Sequence, residues 1–105
     1  IYTWGRGENG RLGHNDHVTR FRPKLLEVDG DSTLIRFEEV AGGSHHSLAV
    51  SKTGQLWAWG SGWSGQLGVG ERGDSAVPRM LPNFTATRVT AVAAGYHHSL
   101  CVTGA

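Results

Sequence analysis

Cysteine is all but missing from this 105-residue chain: Cys101 stands alone. That excludes an intrachain disulfide and, with it, the stapled scaffold of a small secreted domain. Proline is also scarce, with three residues, too few for a collagen-like or disordered chain. No apolar run reaches the length of a membrane span and no leader pattern is visible, so no membrane role is expected, and the location expected is intracellular, cytoplasmic or nuclear. Charge of one sign is missing too, since the net charge is +1. Residues 1–24 hold five Arg and Lys against two acids, and residues 25–105 hold five against seven. The local excess lies mostly in one loop and is too small for a nucleic-acid-binding face, so charge lends chromatin contact no support. Asn83-Phe84-Thr85 matches the glycosylation triplet, a pattern common by chance. No stretch carries a convincing helical period.

Glycine, by contrast, is abundant: sixteen residues, about twice the usual share. The glycines belong to a repeat. Ile1–Gly13 overlays Leu56–Gly68 at an offset of 55, placing Trp4 on Trp59, Gly5 on Gly60, Gly13 on Gly68 and, further on, Pro23 on Pro78. A second block, Val40–Leu48, overlays Val92–Leu100 at an offset of 52, so that Ser44 falls on Tyr96, His46 on His98 and Ala49 on Cys101. The unit therefore calls for a small apolar group at Cys101, which reads as a buried, inert thiol. Repeats of this length indicate a propeller or a solenoid, with residues 1–55 as the first copy and 56–105 as the second.

Strands are expected at Ile1–Trp4, Lys24–Val28, Phe37–Gly42, His46–Ser51, Gln55–Trp59, Arg79–Leu81, Val89–Ala94 and His98–Val102. Leu56-Trp57-Ala58-Trp59 is apolar on both alternating faces, which is the pattern of a strand covered on both sides. Each copy thus offers an outer strand pair and then an inner pair, and a four-stranded antiparallel meander of this kind is a propeller blade. The expected fold is all-β: two such repeats, forming part of a propeller. The chain begins at an outer pair and stops after an inner pair, leaving half a blade at each end with exposed edges. Those edges call either for further repeats in a longer chain or for pairing between molecules, which head to tail gives an even-numbered ring.

Three chemical constellations give way to structural readings. Gly5-x-Gly7-x-x-Gly10 and Gly60-x-Gly62-x-x-Gly65 each follow a strand like a dinucleotide fingerprint, with Asp29 near the place of the ribose acid. No helix is expected after either, so the glycines serve turns and no cofactor is expected. His45-His46 and His97-His98 suggest a metal, but neighbours on a strand point to opposite faces and no recurring Cys or carboxylate joins them. His46 and His98 are instead expected to be buried, hydrogen-bonded and structural, like Trp4, Trp59 and the paired glycines. Ser44, Ser47 and Ser99 have no visible triad partners, and no catalytic residue is assigned. The contact candidates are positions where the copies differ, together with the exposed turns: Arg6, Glu8, Arg11, His14, Arg20, Arg22, His45, Trp63, Tyr96 and His97. These should gather at one rim, where loops on a rigid scaffold carry binding. Replacing Trp63 and Arg11 by Ala is expected to leave folding intact.

Trp-Gly-x-Gly-x-x-Gly-x-Leu-Gly followed by Val-Ala-x-Gly-x-His-His-Ser-Leu resembles the repeat of the regulator of chromosome condensation family, and both copies carry it. The resemblance implies a propeller, seven-bladed when whole, and a protein partner. A binding scaffold is the first expectation. Nucleotide exchange on a Ran-like small GTPase is the alternative, as is the substrate-binding propeller of a ubiquitin ligase. The family's plant ultraviolet-B photoreceptor is disfavoured, because its Gly-Trp-Arg-His-Thr motif is Gly-Ser-His-His-Ser and Gly-Tyr-His-His-Ser here.

Overall fold

A computed structural model describes residues 1–28, 35–82 and 87–104. Asp29 and the Asn83-Phe84-Thr85 triplet lie outside the described residues. The chain forms antiparallel strands β1 (Tyr2–Gly5), β2 (Arg20–Leu25), β3 (Phe37–Gly42), β4 (His46–Ser51), β5 (Leu56–Gly60), β6 (Ser75–Met80), β7 (Arg88–Ala94) and β8 (Ser99–Gly104). A 3-10 turn, Glu8–Gly10, interrupts the first long loop.

Among the described residues, the eight strands divide into a pair β1-β2, a four-stranded sheet β3-β4-β5-β6 and a pair β7-β8. The complete blade takes its inner strands from the first copy and its outer strands from the second. Sequence repeat and blade are therefore half a unit out of phase, with half a blade on either side.

Alternation along β4 and β5 decides how the central blade packs. Ala49, Trp57 and Trp59 face Leu26 and Val28, with Ile1, Ile35 and Phe37 at the margin. Leu48, Val50, Leu56 and Ala58 face the other way, onto Leu67, Leu81, Val89 and the partly buried Val92, Ala94 and Cys101. Every residue of β5 is buried, because a half-blade lies against each face of its sheet. Cys101 is half-buried rather than enclosed, since only one side of β8 is covered.

The outer strands depart from expectation. β2 begins at Arg20 and β6 at Ser75, so each runs through a proline, Pro23 or Pro78. Each strand bonds one neighbour only, and each proline falls where the ladder shifts register, opposite Thr3/Gly5 or Ala58/Gly60. A residue without an N–H is tolerated at an edge with an irregular ladder.

The copies reproduce one another down to single hydrogen bonds. Gly13 donates to the Gly10 carbonyl at 3.0 Å as Gly68 does to Gly65 at 3.1 Å, and Leu26 to Ile1 at 2.9 Å as Leu81 does to Leu56 at 2.8 Å. Gly5 and Gly60 close their strands at φ +108° and +102°, where a side chain is strained.

Candidate protein-interaction rim

The long β1–β2 and β5–β6 loops and the short β3–β4 and β7–β8 turns meet at one end of the sheets. Ser61 N–H donates to the His45 carbonyl at 2.8 Å, and Arg11 Nη1 donates to the Ser44 carbonyl at 3.1 Å. Across the boundary between the central blade and the last half-blade, the His45 and Tyr96 rings meet edge to face at 5.5 Å. Tyr96 and His97 meet at 4.4 Å. Tyr96 is 61% exposed and Trp63 64% exposed, the latter beside Glu71 and Arg72.

The basic loop of the first copy is largely committed to its own chain. Arg6 pairs with Glu8, whose carboxyl is held below the usual range by that hydrogen bond and by the neighbouring charge. Arg11 donates to the Glu8 carbonyl at 2.9 Å, to Asn9 Oδ1 at 3.1 Å and to the Ser44 carbonyl. It ties the loop to the β3–β4 turn. His14 points back at Thr3, with Nε2 2.8 Å from Oγ1, and burial holds its pKa down. Arg20 bonds Asp16 at 2.7 Å, and the Val18 N–H, helped by Arg20 and opposed by burial, sets that carboxyl low. Arg22 stands exposed within β2. Tyr96, His97, His45 and Trp63 are thus the rim candidates left with rings available for contact.

The paired histidines part company. His46 is buried, with Nε2 2.9 Å from Ser99 Oγ, and that hydroxyl donates to the Gln66 carbonyl at 2.6 Å. The Ser99 proton is therefore used, so His46 Nε2 must carry the N–H. His98, expected to be buried, is exposed: the strand pair that covers His46 has no counterpart over His98 among the described residues. Trp4 is likewise 58% exposed where Trp59 is 1% exposed. Gly43 and Gly95 are needed because a Cβ at either would run into the following histidine ring, which accounts for the Gly-x-His-His pattern.

Reading the sequence missed the serine clamp. Ser47 Oγ donates to the Arg11 carbonyl at 2.9 Å as Ser99 donates to Gln66, and these positions match at both repeat offsets. The signal was the recurrence of the serine behind the histidine pair, which was weighed only as a nucleophile.

Burial of His46 depresses its pKa, with His98, His45 and His97 adding repulsion and the His98 backbone pulling the other way. A histidine whose folded pKa lies below its unfolded value of about 6.5 contributes stability above that pH and loses it as pH falls toward the folded value. His14 acts with the same sign. Urea midpoints should therefore drop from neutral pH to about pH 5, and His46→Gln should flatten part of that fall.

The profile of the Regulator of chromosome condensation (RCC1) repeat matches residues 1–50 and again 53–102. The chain belongs to this repeat family. A second profile of the same repeat matches residues 37–66. The chain is 39% identical over 103 residues to the Ultraviolet-B receptor UVR8 of Arabidopsis thaliana, covering 98% of itself and 23% of the receptor. It is 40% identical over 100 residues to Alsin of Rattus norvegicus (95% and 6%). It is 36% identical over 96 residues to human E3 ubiquitin-protein ligase HERC2 (90% and 2%). It thus spans less than a quarter of these relatives. Human WBSCR16 superposes with a TM-score of 0.79 at 23% identity, over 99% of this chain and 26% of that one. Prp20p of Saccharomyces cerevisiae, solved with attention to its binding of Gsp1p and histones, superposes at 0.74 with 27% identity, over 97% and 26%. The three sheets of this family member are part of a β-propeller.

Proposed function

We propose that the chain is a protein-binding propeller segment that contacts its partner through the rim, with no catalysis and no cofactor of its own, inside the cell. The observation that carries this is the His45–Tyr96–His97 stack, with Trp63 exposed on the same rim. The repeat does not demand aromatics there, since Ser44 and Glu8 occupy the matching positions. Exposed, stiff aromatic side chains are natural interface anchors. Tyr96→Ala and Trp63→Ala should each weaken a partner recovered with the wild-type chain by about thirtyfold while leaving the melting curve in place. Undiminished recovery by both variants would refute the reading.

Nucleotide exchange on a small GTPase is a second reading, favoured by the likeness to Prp20p, which binds Gsp1p. Accelerated nucleotide release from any member of a GTPase panel would establish it over a passive scaffold. The likeness to HERC2 similarly supports a partner-binding role beside a ubiquitin ligase domain. Light sensing is not proposed, because the turns read Gly43-Ser44-His45-His46-Ser47 and Gly95-Tyr96-His97-His98-Ser99.

A further inference from the structure

The seam between the first outer strand pair and the central blade holds a cavity of about 300 Å³, at the small end of the range for ligand pockets. Lys24 and Leu25 of β2 and the neighbouring Glu27 line one side, and Val77 and Pro78 of β6 the other. His14 and Asn15, from the β1–β2 loop, complete the lining, and of the rim candidates only His14 takes part. The two sides are pinned together: Asn15, at φ +62°, donates its N–H to the Ala76 carbonyl at 2.8 Å and fixes the loop against β6.

The polar groups around the cavity form a mixed set. Lys24 and Glu27 make no ion pair with each other or with another charged group among the described residues. Asn15 adds its side-chain amide to the lining. His14 has a defined tautomer: Thr3 Oγ1 gives its proton to the Leu12 carbonyl at 2.6 Å, so His14 Nε2, 2.8 Å from the same oxygen, must carry the N–H. Because burial holds its pKa down, the ring is neutral at neutral pH and Nδ1 keeps a lone pair. The repeat does not demand this set. At the matching positions stand Val69 for His14, Gly70 for Asn15 and Pro82 for Glu27, and only Lys24 keeps its charge, as Arg79. A requirement of the blade recurs in both copies, whereas this combination occurs in one.

We propose that the cavity binds a free α-amino acid with an aliphatic side chain. A simple carboxylate would suit Lys24 but be repelled by Glu27, and a simple amine would suit Glu27 but be repelled by Lys24. A zwitterion satisfies both. Its carboxylate accepts from Lys24 Nζ and Asn15 Nδ2, and its ammonium donates to Glu27 and to His14 Nδ1. Leu25, Val77 and Pro78 give the aliphatic side chain an apolar surface.

Amide chemical shifts of the chain, followed during titration with L-leucine, should move saturably at the residues lining the cavity and not at Trp63 or Tyr96. Leucinamide lacks the carboxylate and isocaproate lacks the amine, and each should bind about tenfold more weakly, the effect of one charge-assisted hydrogen bond. Lys24→Met and Glu27→Gln replace exposed side chains and should leave the melting curve in place. Lys24→Met should weaken leucine about tenfold and leucinamide not at all; Glu27→Gln should weaken leucine about tenfold and isocaproate not at all. The proposal is overturned by the absence of a saturable shift at tens of millimolar leucine, by either analogue binding as well as leucine, or by variants that weaken leucine and analogue alike. It is also overturned if leucine blocked at both its amine and its carboxylate binds as well as the free amino acid, which would make the seam a groove for a polypeptide.

Discussion

Trp59→Ala should cost about 3–5 kcal/mol, a large part of the roughly 5–15 kcal/mol that holds a domain of this size folded. Trp59 is 1% exposed, enclosed by Leu26, Val28, Ala49 and Trp57, with Gly13 pressed against its indole edge. Its Nε1 has no hydrogen-bond partner among the described residues, so truncation strands no acceptor and the loss is packing alone. The control is Trp4, the same residue at the same place in the first copy but 58% exposed. Trp4→Ala should cost less than about 1 kcal/mol in dilute solution. Urea unfolding followed by circular dichroism, which does not depend on the removed fluorophore, distinguishes the two. Equal losses would mean that Trp4 is covered in solution even when dilute.

Gly62→Ala should destabilise by about 3 kcal/mol, for reasons of space. A Cβ there would meet the Gly73 carbonyl oxygen well inside van der Waals contact, with Leu67 Cδ1 3.0 Å away on another side. The obstacle is backbone on the far limb of the same loop, where Gly62 N–H is also held by Asp74 Oδ1 at 3.2 Å, so neither limb moves without opening the other. Gly65→Ala, three residues on, meets nothing within 4 Å but sits at φ +76°. Conformational strain alone should limit its cost to about 1 kcal/mol. In thermal melts the first substitution should lower Tm by about 10–20 °C and the second by about 5 °C. Gly62→Ala should also weaken partner binding beyond its effect on stability, because the displaced limb carries Trp63.

Much of the fold was legible because the repeat encodes local demands. Glycines at positive φ recur at Gly5/Gly60 and Gly13/Gly68, and two-faced apolar alternation marks Leu56–Trp59 as an interior strand. The prolines misled, because a proline normally marks the outside of a strand, whereas an edge strand with an irregular ladder accepts one. The rim was legible as a set of loops but not as a set of available side chains. Arg11 and His14 read like Tyr96 and Trp63 in one dimension, yet the first two are held by carbonyl and hydroxyl oxygens of their own chain.

By itself the sequence determined the repeating unit, its antiparallel strands and the glycine corners that turn them, because those follow from each residue's own conformational range and from its near neighbours. Only the tertiary structure decided which member of each matched pair is enclosed: Trp59 and not Trp4, His46 and not His98. Enclosure depends on what packs against a residue, and two matched stretches of sequence acquire different neighbours once one lies between sheets and the other at their edge.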